Sequence, residues 1–332
     1  MTQSYTSCNW IQHGINFEPN ELQMCCLCCH IGKGHIVVKD NYNGEIIKAD
    51  ELFALKEKFI KENKNNIINP KCEGCFLLQE KCWEKSEKCI KYIHFNHWTN
   101  CNCDCIYCYT SWNKENFNKR PHYNVVPALK ELFKANIFRP GGEITFAGGE
   151  PTILDEFDDI INLCLDNGAD RITIHSSGIR YSRALEKGIR EKKITICLSA
   201  DAGTSETYKK IKRVDKFDIF WENVKKYAQN QTDENDKKFV TTKYILIPEI
   251  NTSKDEIDKW FELNEKSGIK TVTFDIETDY CRDLTEKGKD YPEELVKISE
   301  YMINKANELK YNIIYYNNFK YLAYKNGFID EY

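Results

Sequence analysis

Cysteine is the residue that most constrains this chain. The sequence has sixteen cysteines in 332 residues, and thirteen of them lie between Cys8 and Cys108. A secreted disulfide scaffold is normally short and carries a signal peptide, whereas this sequence is long and begins without a basic segment followed by an apolar one. In a reducing cytosol, clustered cysteines are more often metal ligands or catalytic groups. We therefore expect a cytoplasmic protein with a thiol-rich N-terminal third.

The charge and the hydropathy of the chain indicate which kinds of partner it does not bind. The chain carries 47 basic and 51 acidic residues, for a formal net charge of −4. A nucleic-acid-binding protein normally presents an excess of basic residues, so we expect no nucleic acid partner. The basic run at Lys209–Arg213 is interpreted as an exposed helix face. No segment approaches the run of about 20 apolar residues that a membrane-spanning helix needs, so we also expect no membrane partner.

The C-terminal two-thirds alternates short strand-like segments with helical ones. The strand candidates are rich in Ile, Val, Thr and aromatic residues, and turn residues follow them. Apolar residues between Phe157 and Leu165 recur at helical spacing, and Ser253 with Glu256 forms a capping box before another helix. This alternation predicts an α/β fold with a parallel sheet, either an open doubly wound sheet or an incomplete (β/α)6 TIM-like barrel. The six predicted strands are Tyr92–Trp98, Glu143–Ala147, Arg171–Ser176, Ile194–Ala200, Val240–Ile247 and Thr271–Ile276.

The N-terminal third follows a different pattern. Gly34–Val38 and Glu45–Ile47 flank Asn41–Gly44, which predicts a hairpin with an Asn-Gly turn. Glu51–Ile60 has helical spacing. Cysteines lie on both sides of this unit, so we expect a separate cysteine-rich module here.

A cluster of thiols follows the first predicted strand. Cys101, Cys105 and Cys108 have the spacing C-x3-C-x2-C, with Cys103 between them. Four cysteines are usual for an electron-transfer cluster, so three on one tight loop indicate a [4Fe–4S] cluster with one iron open to a ligand. A structural zinc site is the alternative, because Cys103 or an upstream thiol could complete the four ligands that zinc prefers.

Glycines end the next predicted strand. The sequence Gly148-Gly149-Glu150-Pro151 directly follows Glu143–Ala147. Two glycines at the carboxyl end of a strand let the backbone approach a ligand closely. Their place one strand–helix unit after the cysteine loop indicates that both motifs serve one site.

At these two motifs the chain resembles the radical S-adenosylmethionine (SAM) superfamily. The resemblance covers the chain from about Tyr92 to Ile276 and implies that Cys101, Cys105 and Cys108 hold a [4Fe–4S] cluster whose open iron binds SAM. It further implies cofactor contacts in the cysteine loop, the glycine motif and the end of the fourth predicted strand. These cofactor-binding residues are Tyr107, Gly148, Gly149, Glu150, Ser199 and Asp201.

The resemblance also implies the chemistry and the partners. An electron from the reduced cluster cleaves SAM, and the resulting 5′-deoxyadenosyl radical abstracts a hydrogen from the substrate, while the protein positions the reactants. An external electron donor such as flavodoxin or ferredoxin is expected. Cys281 follows the sixth predicted strand and, as in epimerising members, is a candidate donor of hydrogen to the substrate radical.

The remaining N-terminal thiols resemble an auxiliary-cluster module of the SPASM or twitch type, although such modules usually follow the barrel. This resemblance implies a second [4Fe–4S] cluster, with structural zinc as the alternative. We therefore predict a cysteine-rich module at residues 1–90 and a barrel with a C-terminal helical extension at residues 91–332. The expected ligands of the second cluster are Cys26, Cys72 and Cys75 together with Cys82, or with Cys28 or Cys25 in its place.

The predicted function is hydrogen abstraction that oxidises or epimerises a sugar or another small molecule. Modification of a ribosomally made peptide is the alternative, because SPASM-like members act on either kind of substrate. We favour a small molecule because the 20 residues before Glu21 leave no room for a peptide-binding domain. The rival class is a non-catalytic zinc or iron–sulfur binding module, which would leave the strand–helix units without a purpose.

Overall fold

The computed structural model describes residues 4–25, 36–83, 88–108, 123–231 and 238–331. Its residues group into two units, the first made of residues 1–100 and 115–173 and the second of residues 101–114 and 174–332. The chain therefore passes from one unit to the other at the cysteine loop. The division predicted from sequence, at residues 90 and 91, is a different partition and stays a prediction.

The first unit contains a five-stranded mixed sheet and a separate strand pair. Its strands are β1 (Tyr5–Ser7), β2 (Gly14–Glu18), β3 (Glu21–Gln23), β4 (Val37–Asp40), β5 (Gln79–Lys81), β6 (Ile90–Phe95) and β7 (Phe138–Phe146). Its helices are α1 (Asn9–His13), α2 (Ala49–Lys64), α3 (Val126–Lys134) and α4 (Phe157–Asp166). The sheet order is β7-β6-β2-β3-β4, with the first two pairs parallel and the last two antiparallel, while β1 pairs with β5. α2 and α4 confirm the helices predicted at Glu51–Ile60 and Phe157–Leu165.

Three phenylalanines on neighbouring strands form the centre of this sheet's core. Phe17 of β2 is in register with Phe95 of β6, and Phe95 with Phe146 of β7. Their ring centroids are 5.4 and 4.5 Å apart, and all three side chains are buried. The register of the parallel strands is therefore fixed by stacked aromatic side chains on one face.

The hairpin predicted around Asn41–Gly44 is wrong. β4 pairs with β3 instead, and residues 45–47 form no strand. The cause is Tyr42, whose buried ring packs edge-on against Tyr123 at 5.0 Å and whose hydroxyl donates to the carbonyl of Glu45 at 2.8 Å. Because these contacts hold the chain after the turn as a loop, no second strand follows it.

The second unit is built on a parallel sheet covered by helices. Its strands are β8 (Arg171–Ser176), which begins in the first unit, β9 (Ile194–Ser199), β10 (Val240–Leu246), β11 (Thr271–Ile276) and β12 (Asn312–Tyr315), in that order across the sheet. Its helices are α5 (Arg183–Arg190), α6 (Ser205–Lys212), α7 (Phe217–Ala228), α8 (Lys254–Ser267), α9 (Thr278–Glu286), α10 (Glu293–Glu308) and α11 (Asn317–Lys325). The six predicted strands are confirmed as β6 to β11, and the alternation with helices confirms the α/β class. In the part of the chain that the structure describes, no helix is long and apolar enough to cross a bilayer.

The two faces of this sheet differ in chemistry. On one face Tyr244 of β10 packs against Trp260 of α8 at 5.1 Å, and Phe274 of β11 packs against Phe261 at 6.4 Å. Because side chains alternate along a strand, the neighbouring residue Lys243 points to the opposite face. That opposite face carries the polar residues described below.

The predicted capping box at the start of α8 forms only in part. The Ser253 hydroxyl accepts a hydrogen bond from the Glu256 amide at 3.3 Å, as an N-cap residue should. The Glu256 carboxylate instead accepts from the amides of Gly203 at 2.6 Å and Thr204 at 3.0 Å. Glu256 therefore anchors the loop that follows β9.

Candidate functional site

The cysteine loop is bonded to the last turn of α6. The amides of Asp104 and Ile106 donate to the carbonyls of Lys212 and Ile211, both at 3.0 Å. The last carbonyls of a helix have no partners within that helix, so the loop satisfies two of them. The two bonds flank Cys105 and fix the backbone on both sides of it.

Tyr107 anchors the same loop through its side chain. Its hydroxyl donates to Asp201 Oδ2 at 2.5 Å and accepts from Lys212 Nζ at 2.8 Å. Lys212 also forms an ion pair with Asp201, and both side chains are at most 2% exposed. The interpretation of Lys209–Arg213 as an entirely exposed face is therefore wrong at Lys212, which points inwards to meet Asp201.

The charges of this pair stabilise one another. Burial disfavours the charged form of both groups, but the Lys212 ammonium more than offsets it and lowers the pKa of the Asp201 carboxyl. The Asp201 charge in turn holds the pKa of Lys212 well above its usual value, again against the effect of burial. We conclude that both groups are charged at neutral pH.

Both carboxylate oxygens of Asp201 and its backbone carbonyl accept hydrogen bonds from the protein. It has φ +55°, its Oδ1 accepts from the Ile245 amide at 2.8 Å, and Asn251 Nδ2 donates to its carbonyl at 2.9 Å. Because both carboxylate oxygens have partners in the chain, Asp201 acts on the site by positioning Tyr107 and Lys212. A direct contact between Asp201 and SAM stays a prediction.

The thiols of the loop are chemically unequal. A hydrogen bond with Cys103 lowers the pKa of Cys105 to about 6, and the Lys212 ammonium acts in the same direction against burial. Hydrogen bonds to Cys101 and Cys105 raise the pKa of Cys103. Cys101 is exposed, whereas Cys105 and Cys108 are half-buried. The shift in the pKa of Cys105 favours its thiolate, which is the form that ligates metals.

This donor set fits an iron–sulfur cluster, whose usual ligands are thiolates. Among the residues that the structure describes, no three Cys, His, Asp or Glu side chains already converge as metal ligands. The thiols of Cys101, Cys105 and Cys108 therefore do not meet at a common centre in the described conformation. Their backbone is held meanwhile by the bonds to α6.

In the first unit, Gly148 and Gly149 let two backbone segments cross at close range. A Cβ atom on Gly149 would lie 2.2 Å from the carbonyl oxygen of Asn100, and one on Gly148, at φ +91°, would lie 2.7 Å from that of Trp98. The amides of Gly149 and Glu150 donate to these carbonyls of Trp98 and Asn100, at 2.7 and 2.8 Å. The motif therefore fixes the residues that lead into the cysteine loop.

Glu150 has a structural task of its own. Its carboxylate accepts from the amide of Thr152 at 3.1 Å and from the Thr152 hydroxyl at 2.5 Å, and it caps the short 3-10 turn Pro151–Ile153. Its side chain is buried. The SAM contacts expected at Gly148, Gly149 and Glu150 stay predictions.

Polar side chains gather on the face of the second unit's sheet that is opposite to its helices. Lys243 is in register with Ser199 of β9 and Thr273 of β11. The Tyr316 ring, just after β12, lies 6.4 Å from the ring of His175 on β8, and the Tyr316 hydroxyl forms a hydrogen bond with the Cys197 thiol. Since β8 and β12 are the outer strands of this unit, the sheet curves so that they approach each other. We call this group of five residues the polar layer: His175, Cys197, Lys243, Asp275 and Tyr316.

The polar layer contains the Lys243 amine and the Asp275 carboxyl, and the charge of Lys243 acts on Asp275. Burial raises the pKa of Asp275 to about 6 and lowers that of His175 to about 4, and the Lys243 charge adds to the second shift. Lys243 acts electrostatically on His175, Asp201 and Asp275. It forms no hydrogen bond or ion pair with the described residues, so its ammonium is open to a polar ligand. Ser199, a predicted SAM contact, lies next to it in register, and that contact stays a prediction.

Two further thiols lie near this layer. Burial raises the pKa of Cys281 on α9 to about 12, and the Tyr291 hydroxyl contacts its sulfur at 3.8 Å. Cys281 is therefore a neutral thiol within electrostatic reach of Asp275, and its role as a hydrogen donor stays a prediction. Cys197 lies in the middle of β9, and its hydrogen bond with Tyr316 places it in the polar layer itself.

The N-terminal thiols form a second group. Cys26 and Cys28 lie outside the described residues, and Cys82 is exposed just after β5. Cys72 is buried, which raises the pKa of its thiol, and Cys8, Cys25 and Cys75 act electrostatically on it in the same direction. Cys8, which no spacing motif singled out, thus belongs to this group, while the predicted ligand Cys82 stays a prediction.

The cysteine loop offers thiols, the usual ligands of an iron–sulfur cluster, and the helix-covered parallel sheet places the chain in the α/β class. The radical SAM superfamily matches residues 95–261, half of the chain. The chain therefore belongs to the radical SAM superfamily, whose members use a [4Fe–4S] cluster with SAM.

Two curated relatives share part of this region. The chain is 28% identical over 148 residues to 7,8-dihydro-6-hydroxymethylpterin dimethyltransferase of Methanocaldococcus jannaschii, covering 44% of this chain and 28% of that protein. It is 24% identical over 217 residues to GTP 3′,8-cyclase of Vibrio atlanticus, covering 59% of this chain and 64% of that protein. The chain therefore spans less than two thirds of the length of either relative.

Solved structures show the same fold. SuiB of Streptococcus suis superposes with a TM-score of 0.53 at 14% identity, over 94% of this chain and 72% of that one. SuiB bound to S-adenosylmethionine gives 0.52 at 16% identity, over 82% and 57%. This likeness confirms the predicted α/β fold of the TIM-like type.

Proposed function

We propose that this chain reductively cleaves SAM at a [4Fe–4S] cluster held by Cys101, Cys105 and Cys108, and that it abstracts hydrogen from a small polar molecule bound against the polar layer. The product is an oxidised or epimerised sugar or similar compound. When bound, the cluster and SAM supply the electron and the hydrogen-abstracting radical. The observation that carries the choice of substrate is the open Lys243 ammonium beside Asp275.

The chain's own part in the reaction is to hold its reactants still. Transfer of a hydrogen tolerates little misplacement, because the reacting atoms have to lie within contact distance. The buried ion pair of Asp201 with Lys212, and the two amide bonds to α6, hold the cysteine loop against the second unit's own sheet and helix. This support suits a site whose geometry has to be kept through each turnover.

The polar layer offers the groups that recognise hydroxyls. The Lys243 ammonium donates, an ionised Asp275 accepts, and the imidazole of His175, neutral because burial lowers its pKa to about 4, can do either. With a pKa of about 6, Asp275 is mostly ionised at pH 7.5. A hydroxylated or otherwise polar small molecule satisfies all three, whereas an apolar one would leave them unpaired.

Relatives support a small molecule more than a peptide. Two curated relatives are named for a pterin and for GTP, which are both small polar molecules. A peptide is the second candidate, because SuiB was also solved with its precursor peptide, and that structure has a TM-score of 0.50 at 14% identity. A non-catalytic binding module would explain neither the polar layer nor the family membership. A cytoplasmic location and an external donor such as flavodoxin or ferredoxin complete the proposal.

Oxidation is favoured over epimerisation, because a second cluster in the N-terminal thiol region would accept the electron left on the substrate radical, which then loses a proton. Epimerisation needs a thiol to return hydrogen, and the candidates are Cys281 and Cys197. Both outcomes move a deuterium from labelled substrate into 5′-deoxyadenosine, but only oxidation lowers the product mass by two hydrogens beyond the label. Solvent hydrogen in the product that disappears with Cys281→Ala would establish epimerisation.

The substrate class is tested with a perdeuterated extract of cells that carry the gene. The extract is divided by ultrafiltration into a small-molecule and a peptide fraction, and each is given to the reconstituted, reduced protein with unlabelled SAM. We expect mass-shifted 5′-deoxyadenosine only with the small-molecule fraction. Label from the peptide fraction alone would overturn the choice of substrate.

Lys243→Met gives the matched control for this experiment. The variant should still form unlabelled 5′-deoxyadenosine, because Lys243 has no described contact with the cysteine loop, but it should take up little label. Labelling equal to that of the unchanged protein would show that the polar layer does not bind the substrate.

A further inference from the structure

We propose that the Tyr208 hydroxyl donates a hydrogen bond to a sulfur of the cluster at the cysteine loop, and that this bond raises the reduction potential of the cluster. This role rests on the proposed function, since it needs a cluster held by Cys101, Cys105 and Cys108. Tyr208 belongs to α6 and was not among the residues predicted from sequence to bind a cofactor.

The Tyr208 side chain is buried, and its hydroxyl has no hydrogen-bond partner among the residues that the structure describes. Removing a hydroxyl from water without a compensating hydrogen bond costs free energy, so buried hydroxyls in folded proteins nearly always have a partner. Burial also raises the pKa of the Tyr208 phenol, so the phenol keeps its proton at neutral pH. Tyr208 is therefore a protonated donor for which the described part of the chain provides no acceptor.

Two sets of contacts place the Tyr208 hydroxyl beside the cysteine loop. The Tyr208 ring packs against Phe217 and Phe220 of α7, with centroid distances of 5.6 and 5.8 Å. Tyr208 and Lys212 are four residues apart on α6, so they share one face of that helix. Lys212 donates to the hydroxyl of Tyr107 in the cysteine loop at 2.8 Å. The face of α6 that carries Tyr208 is therefore the face that meets the cysteine loop.

The groups around this hydroxyl point to sulfur as its acceptor. Four titratable groups act electrostatically on Tyr208, namely Lys212, Cys103, Cys105 and Asp201. The Lys212 ammonium can only donate, and both carboxylate oxygens of Asp201 already accept hydrogen bonds. Of these four groups, the two sulfurs are the acceptors that remain.

Iron-bound sulfurs are better acceptors than neutral thiols, because they carry negative charge. Hydrogen bonds to these sulfurs are among the factors that set the reduction potential of an iron–sulfur cluster. One-electron reduction makes the cluster more negative, so a hydrogen-bond donor stabilises the reduced form more than the oxidised form. The Tyr208 hydroxyl therefore makes the cluster easier to reduce by an external donor of the flavodoxin or ferredoxin class, and no proton moves in this step.

The test is a redox titration of the reconstituted protein and of Tyr208→Phe, followed by electron paramagnetic resonance. The signal of the SAM cluster is the one that disappears when Cys101, Cys105 and Cys108 are changed to Ala. At a fixed applied potential, the ratio of reduced to oxidised cluster should fall about threefold to tenfold in Tyr208→Phe, a shift of about 28–59 mV to lower potential for a one-electron couple. Equal potentials in the two proteins would overturn the proposal.

Tyr311→Phe is the matched control. Tyr311 is also buried, and its hydroxyl also has no partner in the described part of the chain. Its ring lies 5.7 Å from that of Phe261 on α8, and the charge that acts on it is that of Glu265 on the same helix. The control therefore removes the same atom at a position with no described link to the cysteine loop, and the potential should not change. A shift as large as that of Tyr208→Phe would refute a specific hydrogen bond to the cluster.

The stability of the cluster-free protein gives an independent readout. Phe keeps the ring contacts of Tyr208 and relieves the cost of burying an unpaired hydroxyl. Without iron, Tyr208→Phe should therefore unfold at the same temperature as the unchanged protein or at a higher one, as Tyr311→Phe should. A lower melting temperature of Tyr208→Phe alone would show that its hydroxyl has a partner within the chain, which contradicts the proposal.

Deuterium coupled to the cluster reports the hydrogen bond directly. The cluster-free protein is incubated in D₂O before reconstitution, and the deuterium couplings of the reduced SAM cluster are recorded by pulsed electron paramagnetic resonance. One coupling of the unchanged protein should be missing in Tyr208→Phe and present in Tyr311→Phe.

The outcomes separate this role from the proposed function. If the unchanged protein forms 5′-deoxyadenosine but Tyr208→Phe keeps every deuterium coupling, the role of Tyr208 alone is overturned. If the unchanged protein shows no cluster signal that depends on Cys101, Cys105 and Cys108, the proposed function and the role of Tyr208 are both overturned.

Discussion

At the scale of single residues, Tyr107, Asp201 and Lys212 show how a buried ion pair holds a functional loop. Desolvation makes such a pair a poor source of stability, but removing one partner leaves an uncompensated buried charge. The pair therefore serves to fix one geometry, since Asp201 cannot leave Lys212 without a large cost. In this loop it fixes Tyr107, the residue before Cys108.

Lys212→Met is predicted to destabilise the protein by about 3–5 kcal/mol, the range found when one partner of a buried pair is removed. The matched control is Lys226→Met, which breaks the exposed pair with Glu222 and should cost far less stability, because solvent screens that pair. The measurement is the free energy of unfolding in urea. Equal losses in the two variants would show that the buried pair is not essential to the fold.

The double variant Asp201→Asn with Lys212→Met checks the mechanism. It removes the stranded carboxylate charge, so it should lose less stability than the sum of the two single changes. Simple additivity would contradict a direct interaction between the two groups.

Asp275→Asn is predicted to stabilise the metal-free protein at pH 8. Burial raises the pKa of Asp275 from 3.8 to about 6, so the folded state binds its proton more tightly than the unfolded state does. Stability from this group is therefore present below pH 4 and is lost as pH rises to 6 and above. The gain at pH 8 should be about 1–3 kcal/mol, since one pKa unit corresponds to about 1.4 kcal/mol.

Thermal or urea unfolding of both proteins at pH 8 and at pH 4 measures this difference. It should shrink at pH 4, where Asp275 is largely protonated. Asp166→Asn, at an exposed position, is the control at pH 8 and should change stability by less than about 0.5 kcal/mol. A variant that is less stable than the unchanged protein at pH 8 would show that Asp275 has a stabilising partner.

The sequence allowed some functional residues to be predicted, but it did not show which side chains surround them in the fold. The cysteine triplet could be predicted from its spacing, because the three cysteines lie on one loop. Lys212 could not be separated from its basic neighbours, because its inward direction depends on the phase of α6 relative to Asp201. Cys8 escaped notice for a related reason, since it joins Cys72 only through the packing of distant segments.

At the scale of elements, the glycine motif works by close backbone approach. The Gly149 amide and the Glu150 amide hold the strand-like segment that ends at Asn100, directly before Cys101. The glycines were predicted to let a ligand approach the backbone closely. In the structure, the group that approaches them is another segment of the chain, which ends at Asn100. Any side chain at Gly149 has to displace that segment.

Gly149→Ala is predicted to destabilise the protein by about 2 kcal/mol or more, the cost of forcing a side chain into closely packed backbone. Gly168→Ala is the matched control, because Gly168 has φ +85° but open space around its Cβ position. It should cost only about 1 kcal/mol, from backbone strain alone. Urea unfolding compares the two, and a cost at Gly149 no greater than at Gly168 would refute the close-approach argument.

Most of the strands of the second unit, and several helices, could be predicted from the sequence. β8 to β11 repeat a pattern of β-branched residues followed by turns, and local pattern is enough where a strand is buried on both faces. The failed hairpin at Asn41–Gly44 shows the limit, because one buried tyrosine overrode a favourable turn sequence. β12 was missed because it is short and lies at the edge of its sheet.

At the scale of the whole molecule, the proposed substrate site consists of residues that neighbouring strands bring together. His175, Cys197, Lys243 and Asp275 lie on four neighbouring strands, and curvature of the second unit's sheet brings Tyr316 to His175. No sequence spacing encodes such a group, because the intervening helices vary in length. Membership of the radical SAM superfamily was therefore predictable from motifs, whereas the proposed place of the substrate was not.

The measurement that bears most directly on the central claim is the formation of 5′-deoxyadenosine from SAM by the iron-reconstituted, reduced protein. The unchanged protein and Cys103→Ala should both form it, while the variant with Cys101, Cys105 and Cys108 changed to Ala should form none above background. Cys103→Ala should stay within about tenfold of the unchanged rate, a loss of no more than about 1.4 kcal/mol in the barrier. Formation of 5′-deoxyadenosine by the triple variant would contradict the assignment of these three thiols.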